Sequence, residues 1–324
     1  MGADLGPAEI LAGALEAAPL LHEDLLLVGD PAIIQPLLPA NLPKNLYLKP
    51  ASQVVEMHEK PLETYKKKKD SSIMVGIKLV KDGHAKAFVS PGNTGAVTAT
   101  AHLALRQIAG LHRPAIATEM PNRHGGFLIL DTGASPDIDP EHLIEFALMG
   151  RAYAQKVMGR SDPKVHLVNI GEEEGKGNAF AKQAYNLLKE HSWFSGNIEG
   201  KDMFNSPCDV VVCDAFVGNV VLKTSEGIAE AIMKSIRDNI PTSPLKRWMY
   251  APMRSVMGPV RKMMDYSEVG GSSLLGLNGI CTICHGRSTA KAIKNALLLS
   301  QRAIDNQLVE TIRRSVHDEM GDEK

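Results

Sequence analysis

The sequence is short of aromatic residues, at 5% of the chain. It also has no unbroken apolar run long enough to cross a bilayer, which takes about 20 residues. A formal net charge of −1 excludes a generally cationic, nucleic-acid-binding surface, so an anionic partner must be met by a local patch. Four cysteines provide no disulfide framework for a chain of this size. The first residues, "MGADLGPAEI", carry an acid where an export signal needs cations. Gly6 stands where a myristoylation signal needs Ser or Thr. The expectation is a cytoplasmic protein.

Several catalytic signatures are missing too. No Gly-x-Gly-x-x-Gly follows a strand, and neither Gly-x-Ser-x-Gly nor His-Glu-x-x-His occurs. "GEEEGKG" (171–177) falls one residue short of a nucleotide phosphate loop and lacks the hydroxyl that would hold magnesium after Lys176. Dinucleotide enzymes of the usual kind, ATPases, serine hydrolases and zinc proteases therefore have no support. No metal and no cofactor is expected.

What is present is a repeated sequence of strand, small-residue loop and helix. "DLLLVGD" (24–30) and "NLYLK" (45–49) have the composition of buried strands. "KAFVSPGNTGA" leads into a helix reaching about Ile108. "GFLILDTGAS" (126–135) precedes a helix opened by Asp139 and Pro140. "VHLVNIGEEEGKGN" (165–178) precedes "AFAKQAYNLLKEH", and "CDVVVCDAFVGN" (208–219) precedes "VVLKTSEGIAEAIMKSIRD". Ser288 is placed to cap one long helix through most of the remaining tail. Such alternation predicts an α/β fold with a mainly parallel sheet and helices on both faces, in a single domain spanning 1–324.

Four of the predicted loops share one chemistry: 90–95, 131–135, 169–178 and 214–219. Each combines glycine with Asn, Asp, Ser or Thr and points at a helix start. Helix starts offer free N–H groups and a positive dipole, which suit an anion such as phosphate. Turn and cap duty explains any one loop equally well; four loops meeting at one end of a sheet would make a site. Lys176, between two glycines, can reach an anion as a point charge, or can neutralise Glu172, Glu173 and Glu174.

Two further stretches leave alternatives open. "CTICH" (281–285) matches a haem-attachment pattern, against a reading as reduced, packed cysteines. Residues 239–264 hold five cations, no acid and five methionines. Pro252, Gly258 and Pro259 divide the stretch, which predicts a helical hairpin at about 239–265. One face carries Met249 and Met253 and another Arg247, Arg254 and Arg261. That arrangement suits an anionic bilayer surface, an acidic protein, or a dimer interface.

"SPGNTGA", "FLILDTGAS", "LVNIGEEEGKGN", "CDAFVGNVVLKTSEG", "DYSEVGGSSLLGL" and "HGRS" stand in order and spacing that resemble the bacterial phosphate acyltransferase (PlsX) family of phospholipid synthesis. "YKKKKDSS" (65–72) is similar to that family's basic stretch. The resemblance covers essentially the whole chain. It implies a three-layer αβα sandwich of the isocitrate dehydrogenase-like class shared with phosphotransacetylases. It implies transfer of a fatty acyl group from acyl carrier protein to inorganic phosphate, giving an acyl phosphate for glycerol-3-phosphate acylation. It also implies a homodimer in peripheral contact with the membrane and with the glycerol-3-phosphate acyltransferase. By the same resemblance Lys176 and Asn219 are the catalytic candidates, and Gly92, Asn93, Thr94 and Gly95 cradle phosphate. Asn169, Asn178 and His285 are further binding candidates for which turn or capping duty serves as well. Lys66 to Lys69, or the arginines between 247 and 261, would dock the carrier. Members of the family open with a short apolar strand ending in an aspartate, which "MGAD" meets only partway. An absent first strand is therefore a further expectation.

Overall fold

The computed structural model describes residues 2–239 and 266–321. Most of the predicted hairpin, with Arg247, Met249, Met253, Arg254 and Arg261, lies outside the described residues.

Among the described residues the ten strands are β1 (Leu25–Gly29), β2 (Leu46–Pro50), β3 (Ala87–Ser90), β4 (Ala115–Met120), β5 (Phe127–Leu130), β6 (Val165–Asn169), β7 (Phe194–Glu199), β8 (Val210–Val212), β9 (Ser272–Leu275) and β10 (Ile280–Ile283). The α-helices are α1 (Gly6–Ala17), α2 (Pro31–Ile34), α3 (Pro61–Lys67), α4 (Ser72–Lys81), α5 (Thr94–Leu105), α6 (His142–Lys156), α7 (Ala179–Leu188), α8 (Ala215–Asp238), α9 (Ala290–Asp305) and α10 (Leu308–Met320). Eight strands form one mixed sheet in the order β3-β10-β9-β4-β5-β8-β6-β7, while β1 and β2 pair in parallel as a separate sheet. Four of the seven pairings in the large sheet are parallel. The expected α/β architecture with a mostly parallel sheet is what the chain adopts.

Side-chain caps set several helix starts. Asn93 Oδ1 accepts from the Ala96 N–H at 2.9 Å, Asn178 Oδ1 from Ala181 at 2.8 Å, and Asp214 Oδ1 from Phe216 and Val217 at 2.9 and 3.0 Å. A cap of this kind contributes about 1 kcal/mol. The tail departs from expectation. Thr289, not Ser288, is the residue before α9, and the tail is two helices because Gln307 takes a left-handed conformation at φ 53°. The helix expected from Asp139 and Pro140 begins at His142. β1 and β2 are only part-buried, against the expectation of buried strands, since each has one neighbour at most and β2 is an edge.

The β9–β10 hairpin separates β3 from β4 and reverses the sense of the sheet. β3, β10 and β4 run one way; β9, β5, β8, β6 and β7 run the other. Alternation along β4 fixes the faces. Ile116 packs with α4 and α5, and Met120, four residues on, packs with the cluster under α8. Residues four apart on a strand share a face, so α4, α5 and α8 cover one side of the sheet. Helices α6, α9 and α10 cover the other, over the main core of Phe146, Met149, Tyr153 and Leu299. The result is three layers.

Candidate active site

The strand reversal corrects the expectation that four loops meet at one sheet end. One row of partners crosses from Ser90 through Ile283 and Ser272 to Thr118, Ile129 and Val211. Beyond that row β3 runs on into 91–95, whereas β5 runs the opposite way into Asp131. Gly92 and Asp131 thus lie on opposite sides of the row, about 13 Å apart along the strands at ~3.3 Å per residue. The loops at 131–135, 169–178 and 214–219 share one end; Ser90–Gly95 and His285 share the other.

Between α5 and α8 the sheet floor is polar. Thr118 Oγ1 lies 2.9 Å from Thr132 Oγ1 and 2.8 Å from Ser272 Oγ, and Thr132 Oγ1 donates to the Ile116 carbonyl at 3.1 Å. Thr118 occupies the position between Ile116 and Met120, so it sits between the two apolar clusters that anchor the walls. This hydroxyl trio was not singled out in the sequence, although "FLILDTGAS" and "GGSSLLGL" contain two of its members. The signal was hidden because Thr118 lies in "AIATEM", a strand with no turn motif to mark it.

Gly92 and Asn93 lead into α5, Thr94 and Gly95 open it, and their roles divide. The Asn93 side chain is 7% exposed and already committed. Its Nδ2 donates to the carbonyls of Glu56, Met57 and Glu59 at 3.2, 2.9 and 3.0 Å, while Oδ1 caps α5. Asn93 therefore holds the 56–59 segment against the helix start, and the backbone N–H groups of the turn are what is left for an anion. Gly92 N–H donates to Ser90 Oγ at 3.1 Å.

At the other end Asp131 is fully buried. Its carboxylate accepts from the N–H groups of Ile116, Gly133, Ala134 and Ser135 at 2.7 to 3.1 Å. Burial pushes its pKa up, and the four N–H groups pull the other way. Gly218 of α8 lies over the Asp131 carbonyl so closely that a β-carbon would fall 1.9 Å from the oxygen, which brings the start of α8 down onto the sheet. Asn219 follows it inside α8, not in a loop before the helix as expected. It is exposed, and it shares a stripe with Lys223 and Glu226 at helical spacing. Lys223 and Glu226, bonded at 2.8 Å, both act electrostatically on His285. Burial first, then Lys223, lowers the His285 pKa. His285 thus lies within electrostatic reach of the ion pair on the Asn219 stripe.

Lys176 is half-exposed, with Nζ 3.9 Å from Glu173 Oε2. The loop that carries it is tied from below. Asn169 Nδ2 donates to the Lys176 carbonyl at 3.2 Å and to Asn197 Oδ1 at 3.1 Å, and Asn197 Nδ2 donates to the Glu173 carbonyl at 3.0 Å. Gly177, at φ 92°, leaves room for Asn169 Oδ1, which a β-carbon would approach to 2.6 Å. Asn169 and Asn178 are thus bracing and capping residues. Asn197, on β7, was missed because nothing around it in the sequence marks a loop.

Cys281 and Cys284 are free and buried, and burial pushes both thiols up to about 12. Cys281 packs under α4 and α5, Cys284 on the opposite side with Ile293 of α9. Three residues apart on an extended chain they face opposite ways, so they cannot grip one group together. Among the described residues no cluster of three or more His, Cys, Asp or Glu side chains could hold a metal ion, and no helix is long and apolar enough to cross a membrane.

The architecture is that of the phosphotransacylase-like α/β proteins. A phosphotransacetylase structure from Streptococcus pyogenes is similar at a TM-score of 0.51 and 16% identity, covering 94% of this chain and 99% of that one. A branched-chain phosphotransacylase from Enterococcus faecalis gives 0.52 at 12%, covering 93% and 97%. These likenesses establish the fold. The chain belongs to the fatty acid synthesis protein family, whose model matches residues 1–311. It is 47% identical over 323 residues to a phosphate acyltransferase of Heliobacterium modesticaldum, covering 98% of this chain and 96% of the relative. It is 44% identical over 319 residues to one of Desulfitobacterium hafniense, covering 98% and 96%.

Proposed function

We propose that this chain is a phosphate acyltransferase that moves a long-chain fatty acyl group from acyl carrier protein to inorganic phosphate. The observation that carries the reading is 47% identity to a phosphate acyltransferase across nearly the whole of both chains. The polar sheet floor of Thr118, Thr132 and Ser272 between α5 and α8 supports it.

The reaction asks little of acid–base groups. Phosphate is already an anion at neutral pH, and its oxygen attacks the thioester carbonyl. A carbon–oxygen bond forms, the carbon–sulfur bond breaks, and the thiolate leaves with the electron pair to collect a proton from solvent. A thiol with a pKa near 8.5 leaves with little assistance. Positioning and oxyanion stabilisation supply the rate. In this reading the backbone N–H groups of Asn93, Thr94 and Gly95 hold phosphate, the Gly92 N–H being bonded to Ser90 Oγ. Asn219 orients the carbonyl or the phosphate and His285 stands beside it, while Lys176, whose loop is six strands from β3 and at the other sheet end, neutralises charge at the tetrahedral centre from the second copy of the homodimer.

The test is phosphate-dependent thioester cleavage with acyl carrier protein and acyl-coenzyme A as alternative donors. Lys176→Ala and Asn219→Ala should each lower acyl phosphate formation at least about tenfold with the fold intact, a loss of roughly 1.4 kcal/mol or more. Normal turnover in both would refute these roles, and preference for the coenzyme A donor would refute the carrier.

Exposed apolar residues on α8, with Phe216 at 73% and Ile228 at 55% exposure, support a homodimer through this helix. Phe216→Asp should then shift sedimentation toward monomer. Peripheral membrane contact through 239–265 belongs to the same proposal. Deleting that segment should abolish binding to anionic vesicles while acyl phosphate formation in solution persists.

A further inference from the structure

The three hydroxyls between α5 and α8 form a chain that runs out of the core. Thr132 and Thr118 are 5% and 9% exposed, whereas Ser272, at the first position of β9, is part-exposed. Each hydroxyl carries one proton, and each of the two short contacts, at 2.9 and 2.8 Å, needs a proton in it. If Thr118 donates to Thr132, then Ser272 donates to Thr118 and Thr132 to the Ile116 carbonyl at 3.1 Å. All three protons then point inward. If Thr118 donates to Ser272 instead, Thr132 donates to Thr118, and the Ser272 proton is left for a group outside the chain.

Turning the chain outward leaves nothing stranded. The Ile116 carbonyl that Thr132 gives up still accepts from the Thr132 N–H at 3.0 Å, so no buried group loses its last partner. An anionic acceptor at Ser272 favours the outward setting. Donation to a charged group is stronger than donation to a neutral one, and each hydroxyl in a row polarises the next.

Ser272 stands at the same sheet end as the turn into α5. It pairs with Ile283, which pairs with Ser90, and His285 and Gly92 follow those two partners by two residues each. Leu274, two residues along β9, packs with α4 and α5, so Ser272 shares their face of the sheet. Two strand spacings and two residues separate its Cα from that of Gly92, about 12 Å. An acyl phosphate with a hydrogen bond of about 3 Å at each end bridges such a span.

We propose that Ser272 is a catalytic hydrogen-bond donor to the carbonyl oxygen of the acyl group, and that Thr118 and Thr132 are positioning residues that turn its proton outward. This rests on the acyl-transfer reading above and deepens it. As phosphate attacks and charge develops on the carbonyl oxygen, the chain sets outward toward it. Each hydroxyl keeps its own proton, so nothing is transferred along the chain, and the leaving thiolate is not served by it.

The test is calorimetry with two ligands: a β-keto alkylphosphonate, whose carbonyl stands where an acyl phosphate has one, and the matching alkylphosphonate without it. Wild type should bind the keto ligand about three- to tenfold more tightly. Ser272→Ala should erase that preference and leave alkylphosphonate binding unchanged. Thr118→Val should reduce it and Thr118→Ser restore it, with melting temperatures confirming that each variant is folded. In turnover Ser272→Ala should lower kcat at least about tenfold with KM for phosphate unchanged. The inference falls alone if both ligands bind but wild type shows no preference, if the preference survives in Ser272→Ala, or if Thr118→Val behaves as wild type. If neither ligand binds wild type, the acyl-transfer reading of this site falls with it.

Discussion

Asn169 and Asn197 meet amide to amide at 3.1 Å, across the neighbouring strands β6 and β7. Between them they hold the carbonyls of Glu173 and Lys176. The lysine proposed to meet the reacting centre is thus set by an asparagine 21 residues further along the chain. Asn197→Ala should leave the fold intact, speed hydrogen exchange across 170–177, and lower kcat more than it changes KM for phosphate. A simple loss of stability would instead move exchange across the whole sheet.

The Asp131 carboxylate gathers four backbone N–H groups. In Asp131→Asn the amide nitrogen would face donors on one side, leaving at least one of them buried and unbonded. The expected cost is about 2–4 kcal/mol, read as a lower urea midpoint. Asp131→Ala should cost at least as much.

His285 should titrate below its ordinary value near 6.5, because burial and Lys223 both disfavour the imidazolium. The unfolded chain then binds the proton more readily than the folded one. The contribution to stability is present above pH 6.5 and is lost as pH falls through the folded pKa. An NMR titration checks the midpoint, and Lys223→Met should raise it.

The basic run at 66–69 divides into unlike residues. Lys68 is structural, bonded to Glu59 and to the Val54 carbonyl. Lys67 pairs with Glu63 at 2.9 Å, and Lys69 sits 4.2 Å over the Tyr65 ring. Charge reversal at Lys66 and Lys69 should raise KM for an acidic carrier and weaken the salt dependence of binding. Reversal at Lys68 should lower stability first.

The alternation of strands and helices was legible because apolar runs and small-residue turns punctuate most of the large sheet. β4, β9 and β10 were not. "AIATEM", "SSLL" and "ICTI" are short segments whose pairing is decided by neighbours far away in sequence. That gap carried over to the site. Without those strands the reversal of direction was invisible, and the loops at 90–95 and 131–135 were placed at one end. Thr118 and Ser272 were missed for the same reason. Lys176 and Asn93 were visible because glycine and helix caps surround them, yet which atoms of Asn93 remained available depended on Glu56, Met57 and Glu59, a contact no local pattern encodes.

The hairpin of β9 and β10 occupies the middle of the sheet although it comes from the last sixth of the chain. During synthesis β3 and β4 emerge early, and the strands destined to lie between them arrive about 150 residues later. Until residue 283 has left the ribosome, both edges stand bare and able to pair with other nascent chains. Translation stalled before that point should therefore yield aggregates, and newly made protein should lean on chaperones far more than finished protein does.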